Sequence, residues 1–231
     1  MNLELCTDCL EGALLAGRYG FKRIELCAAL AEGGLTPSFG MIQSCSEAGT
    51  AEVHAMIRSR GGSFTCDDSE MAIMKKDIQA ASEAGAKGVV FGILESNNEM
   101  SPMNRELLEL AHSFELQATF HRAFDQVKDP LRTLEQLVEM GFDRLLTSGL
   151  KDRAIDGLEL IKSMQQEYGS KIEIMAGSGV NPENALSFAK AGLENLHFTA
   201  RKQSEEILIK GMGVNMVTDE AKISAICDLF D

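Results

Sequence analysis

Basic residues are scarce in this chain. The 22 Lys and Arg against 35 Asp and Glu leave a formal charge of -13. That deficit argues against a nucleic-acid partner, because phosphate backbones demand a basic surface, and against docking on an anionic membrane. No stretch approaches the roughly 20 apolar residues of a transmembrane helix. Met1 leads directly into a strand-like run, without the basic region or apolar core of a signal peptide, so a cytoplasmic protein is expected. The six cysteines (Cys6, Cys9, Cys27, Cys45, Cys66 and Cys227) are too thinly spread for a disulfide scaffold and read as reduced thiols. Cys6-Thr7-Asp8-Cys9 has the C-x-x-C form but no second pair to complete a zinc site. Pro-rich and Ser-rich linkers and low-complexity blocks are also missing, so residues 1–231 read as one domain.

Present instead is a repeated Glu-Leu-Cys, at Glu4-Leu5-Cys6 and Glu25-Leu26-Cys27. Side chains on a strand alternate with period two, so each copy places its carboxylate and thiol on the same face. Side by side, the two strands would bring two acids and two thiols together. Eight such β-like runs recur about every 25 to 30 residues: Leu3–Cys6, Arg23–Cys27, Glu52–Arg58, Gly88–Gly92, Gln117–His121, Arg144–Ser148, Glu173–Gly177 and Asn195–Thr199. Amphipathic segments with helical period separate them, as over Pro130–Met140, and several end in a Gly-containing turn suited to a left-handed cap. Pure alternation implies a parallel sheet, and eight units close a TIM barrel, an α/β fold. An open doubly wound sheet is disfavoured, because no G-x-G-x-x-G turn follows the first strand. The stretch 201–217, before a last helix at about Thr218 to Leu229, reads as irregular. Its Ile207-Leu208-Ile209 and Met212-Gly213-Val214 are expected to make an oligomer contact or cover the active site.

A TIM barrel places its chemistry at the C-terminal ends of its strands. Those ends carry Cys6 and Cys27, with Glu4 and Glu25 one layer deeper. They also carry Arg58 and Arg60, the run His121-Arg122-Ala123-Phe124-Asp125, Ser148, the turn Gly177-Ser178-Gly179, His197 and Arg201. Three readings suit this set. Anion binding would use the Gly177–Gly179 turn and the helix start behind it, aided by Arg58, Arg60, Arg122, Ser148 and Arg201. The bland alternative is a tight turn and nothing more. Acid–base chemistry would use Glu4, Glu25, His121 and Asp125, against the alternative that single histidines such as His54 and His197 are satisfied core residues. Metal binding would use the thiols of Cys6 and Cys27, which suit Cu(I), against the common role of cysteine as a small apolar filler. The 12 methionines are not clustered in M-x-x-M arrays, the spacing occurring only singly at Met71/Met74 and Met100/Met103, so a Met-rich copper carrier is not indicated.

The long motifs at these strand ends resemble the CutC family, the copper homeostasis proteins. The resemblance rests on Arg23–Cys27 with Glu32-Gly33-Gly34-Leu35-Thr36-Pro37-Ser38, on Met56–Phe64, and on Gly88–Gly92. Thr119–Asp125, Leu146–Gly149 and His197–Arg201 extend it over essentially the whole chain. It implies a cytoplasmic TIM barrel forming homo-oligomers (dimers or tetramers), with Cys6 and Cys27 as the copper candidates. Two positions depart from the family pattern. Ser59 stands where an R-P-R-G-G run has proline, and Ser178 replaces the middle glycine of a G-G-G-V turn. The expected function is copper homeostasis with Cu(I) bound. The alternative is an enzyme acting on a small phosphorylated or carboxylated substrate, to which the inventory of Arg, His and Glu is better suited than to two thiols alone.

Overall fold

A computed structural model describes residues 1–49, 51–204 and 214–230. Eight parallel strands close a barrel in chain order: β1 (Asn2–Thr7), β2 (Arg23–Leu26), β3 (Glu52–Met56), β4 (Gly88–Phe91), β5 (Gln117–Phe120), β6 (Arg144–Thr147), β7 (Glu173–Ala176) and β8 (Asn195–Thr199). The last pairs back onto the first, with Glu4 opposite His197. Outside lie α1 (Leu10–Arg18), α2 (Phe39–Ala48), α3 (Asp68–Glu83), α4 (Met103–Ser113), α5 (Pro130–Met140), α6 (Leu158–Tyr168), α7 (Ala185–Lys190) and α8 (Glu220–Cys227).

Local chemistry sets these boundaries. In α5 the Asp129 carboxylate accepts from the Arg132 amide at 3.1 Å, and Pro130 occupies the first turn, where no donor is lost. Gly141 then ends the helix at φ +94°, its N–H bonded to the carbonyls of Leu137 and Val138. α3 opens with a reciprocal capping box between Asp67 and Glu70.

Alternation divides the strands between two environments. Outward residues such as Leu5, Ile24, Val53, Phe91, Phe120 and Leu145 are buried in one apolar core with the helices. The inward set mixes a small apolar cluster of Cys6, Cys27, Met56 and Val90 with charged and polar groups. Arg23, Glu4, His54 and Arg144 point into the barrel and are all buried. His54 fits because residue 88 has no side chain: a Cβ on Gly88 would lie 2.4 Å from its ring.

The stretch expected to be irregular pairs at its two ends. Arg201–Gln203 (β9) runs antiparallel to Met216–Thr218 (β10), with Arg201 opposite Thr218. The β-prone Met-Val-Thr run supplies that strand. Ile207-Leu208-Ile209 and Met212-Gly213, where a contact or cover was expected, lie outside the described residues.

Candidate functional site

The Glu-Leu-Cys repeats land on adjacent strands, with Cys6 of β1 opposite Glu25 of β2. Beneath the mouth, a chain of ion pairs fills the barrel. Arg23 donates from Nε to Glu4 Oε2 at 2.5 Å and lies 3.3 Å from Glu173, which also accepts from Arg144 Nε at 2.9 Å. The other Glu4 oxygen lies 2.7 Å from Nδ1 of His197. The second nitrogen of that ring, Nε2, lies 3.7 Å from Glu25 Oε2. Glu25 Oε2 also accepts from the Cys27 thiol at 3.6 Å, while Glu25 Oε1 is buried without a partner.

The two carboxyls are tuned in opposite directions. Burial pushes Glu4 upward, but the hydrogen bond and charge of His197 and the charge of Arg23 outweigh it and hold Glu4 well below the carboxylate range. Burial and the neighbouring Glu4 charge raise Glu25, against the attraction of His197. His197 itself is held well above the ordinary histidine range, because Glu25, Cys6 and Glu4 together overcome its burial. The thiols stay protonated. A hydrogen bond to Cys27 and burial push Cys6 well up. For Cys27, burial and the Glu25 charge outweigh a hydrogen bond with Cys6 that favours its thiolate, and push it up to about 11.

Above this network opens a cavity of about 370 Å³. Cys6, Glu25, Glu32, Arg58, His121, Arg122 and His197 line it, together with apolar Leu30, Met56, Phe64 and Leu146. Arg58 is held by three backbone carbonyls, donating from Nη1 to those of Glu32 and Gly34 and from Nη2 to that of Gly62. Its guanidinium lies over the Phe64 ring, 5.0 Å from the centroid. The Nε is buried and unpartnered. His121 accepts at Nδ1 from the Ala123 amide, so Nε2 carries the proton. Burial and the Arg58 charge push its pKa down to about 3, which keeps it a neutral donor.

The remaining residues expected from sequence stand apart from this cavity. The Asp125 oxygens accept from Arg122 Nε, Thr147 Oγ1, Leu150 N, and Ser148 N and Oγ. Asp125 therefore positions Arg122 and ties the turn after β5 to the end of β6. Ser148 Oγ is engaged between Asp125, Arg122 and the Lys151 carbonyl. Arg60 pairs with Glu70 on the outer rim, and Arg201 pairs with Asp8 at 3.0 Å. Ser178 adopts φ +91° and donates to the Asp152 carbonyl at 2.6 Å. A Cβ on Gly177 would meet Leu146 at 2.5 Å and His197 at 3.1 Å, so this turn packs against the barrel. The sequence reading passed over Arg23 and Arg144. Their signal was alternation: Arg23 shares the inward face with Glu25, two residues away, and Arg144 shares it with Leu146.

A closed eight-stranded β/α barrel with a polar cavity at its C-terminal mouth defines the class: a TIM-barrel protein with its site where such barrels place theirs. The comparisons then give the family. The CutC family model matches residues 1–202, and the chain belongs to the CutC family. A family protein CutC of Vibrio vulnificus (strain YJ016) is 44% identical over 87% of this chain and 81% of its own length. Another from Aliivibrio fischeri (strain MJ11) is 38% identical over 98% of this chain and 97% of its own. A crystal structure from Streptococcus agalactiae, of a CutC protein named for copper homeostasis, superposes with a TM-score of 0.78 at 34% identity, covering 86% of this chain and 98% of that one. A thiamine phosphate pyrophosphorylase from Pyrococcus furiosus, at a TM-score of 0.59 and 17% identity, covers 86% of this chain and 85% of its own and shares the fold alone. No helix among the described residues is long and apolar enough to cross a membrane.

Proposed function

We propose that the barrel-mouth cavity binds a small phosphorylated or carboxylated molecule and carries out acid–base chemistry on it. Arg58 is the observation that carries this reading. The residue is 9% exposed, has no carboxylate partner among the described residues, keeps an orphaned Nε and lines the cavity. An unpaired buried ion costs several kcal/mol, and an anionic ligand in the adjoining space offsets that cost. Arg122 adds a second guanidinium, and Glu25 supplies the carboxyl that exchanges a proton. Calorimetric titration with inorganic phosphate and with acetate tests the proposal. At least one anion is expected to bind, and Arg58→Met to weaken it about tenfold, the worth of one charge-assisted contact. Arg122→Met serves as the companion variant, because Arg58 also holds the loop carbonyls. No binding of either anion, or binding indifferent to both variants, would defeat it.

A second reading rests on a different observation. The Cys6 and Cys27 sulfurs and a Glu25 oxygen lie within 4.8 Å of one another. Two thiolates are soft donors that suit Cu(I), and the Streptococcus agalactiae relative is named for copper homeostasis. Cys6 and Cys27 would hold the ion, and each must first lose its proton. Titration with Cu(I) against a competing chelator is expected to show about one equivalent per chain, lost in Cys6→Ser/Cys27→Ser. Unchanged affinity in that double variant removes this reading. Six free cysteines support a reducing compartment such as the cytoplasm under either reading. Either reading also allows a homo-oligomer built on the exposed Leu14, Phe39 and Ile73, which light scattering after gel filtration would detect.

A further inference from the structure

The cavity presents two unmet demands of opposite kind. One is the Arg58 guanidinium, which is buried, forms no ion pair among the described residues, has only the more distant Glu32 charge to attract it, and keeps Nε without a hydrogen-bond partner. The other is Glu25, which is 3% exposed. One Glu25 oxygen faces the Cys27 thiol and the His197 ring, the Cys6 thiol stands beside the carboxyl, and Oε1 has no hydrogen-bond partner among the described residues. A buried oxygen left without a donor loses its hydration and gains nothing in return. Leu30, Met56, Phe64 and Leu146 give the same cavity an apolar surface, and Glu32 also lines it. The volume of about 370 Å³ falls in the range of sites that enclose a small organic molecule rather than a bare ion.

We infer that the ligand is bifunctional, a hydroxylated phosphate or carboxylate that donates a hydroxyl hydrogen to Glu25 Oε1 while its anionic group meets Arg58. The inference rests on the proposed anion-binding function and specifies its substrate class. An ammonium group would satisfy Glu25 equally well in isolation. It is disfavoured here because Arg58, Arg122 and the His197 ring, held above the ordinary histidine range, outnumber the Glu25 and Glu32 carboxyls among the charged groups that line the cavity, and a further positive charge would be repelled. A hydroxyl donates without adding charge. The carbon skeleton joining the two groups packs along the apolar strip, where Met56 and Phe64 offer a surface for a sugar-like or polyol chain.

The test uses four probes on the full-length protein: ribose 5-phosphate and ribonate, which carry carbon-bound hydroxyls, and inorganic phosphate and acetate, which carry none. Calorimetry is expected to show at least one hydroxylated probe binding about tenfold or more tighter than its bare anion. Ribose 5-phosphate against ribonate decides which anionic group the site takes. Glu25→Ala is expected to erase the hydroxyl advantage, so that the hydroxylated probe and its bare anion bind alike. Should Glu25→Ala fail to fold, Glu25→Gln decides the matter. Its amide oxygen is a weaker, uncharged acceptor, so a severalfold loss for the hydroxylated probe alone is expected. Hydroxylated probes that bind no tighter than phosphate or acetate overturn this inference and leave the anion site standing, as does an advantage that is undiminished at both Glu25→Ala and Glu25→Gln. Failure of all four probes overturns both.

Discussion

The Glu4→Gln substitution removes one negative charge from the centre of the barrel, and its cost can be worked from the contacts. Glu4 is 2% exposed and Arg23 is 1% exposed. The carboxylate takes Arg23 Nε on one oxygen and His197 Nδ1 on the other. Removing one member of a buried ion pair costs about 3–5 kcal/mol, because its partner is left charged and dry. Here Arg23 keeps Glu173 at 3.3 Å, and the glutamine amide can still accept one hydrogen bond. The lower end, about 3 kcal/mol, is therefore expected. In a chain of 231 residues, that corresponds to a fall in Tm of about 6–12 °C. The assay is far-UV circular dichroism melting at pH 7, repeated in acid. Glu4 has a depressed folded-state pKa, so its contribution is present above the unfolded value of 4.5 and is lost as pH falls through the depressed value. The gap between wild type and variant should therefore narrow below pH 4.5. A destabilisation under about 1 kcal/mol, the median for exposed pairs, would show that this network is solvated and would refute the reasoning.

Three further outcomes follow from the same contacts. His197 has a raised folded-state pKa, so its contribution is complete below the unfolded value of 6.5 and fades as pH climbs through the folded one. Urea unfolding of wild type should show stability declining above pH 6.5, and the decline should be shallower in His197→Asn. Glu25 is raised by burial and has an orphaned oxygen, so its ionised form strains the fold. Glu25→Gln is expected to gain on the order of 1 kcal/mol at pH 8, as when a site built for function is relaxed, and a loss there would contradict the assignment. Gly157 approaches the next loop closely: a Cβ on it would lie 2.2 Å from the Ser148 carbonyl oxygen and 2.8 Å from Gly149 Cα. Both are backbone atoms with little room to yield. Gly157→Ala should cost about 1–3 kcal/mol by overpacking, and a melting curve like that of wild type would contradict this.

Much of the barrel was legible because its signals are local. Period-two alternation and Gly-containing turns placed the strands within two residues of their ends, and Pro130–Met140 is a helix over its full expected span. What was not legible depends on closure. Glu4 meets His197 across 193 positions, only because the eighth strand returns to the first. No window of sequence contains that register. The same limit applies at the mouth. The sequence shows that Asp125 and Arg122 are near one another but not that Thr147, Ser148 and Leu150 saturate the carboxylate. Arg58 and Arg60 look alike two residues apart, yet one is buried against the cavity and the other pairs with Glu70 on the rim. The two glutamates of the repeat come to different places. Glu4 is the anchor of the interior ion pairs, and Glu25 faces the cavity with an oxygen to spare.

The central claim is that the cavity holds an anionic organic molecule on Arg58, and native mass spectrometry of the freshly purified protein addresses it most directly. The account expects a bound organic mass that is lost in Arg58→Met and retained in Cys6→Ser/Cys27→Ser. Bound copper that survives Arg58→Met and disappears in the double cysteine variant, with no organic mass on any form, would contradict it.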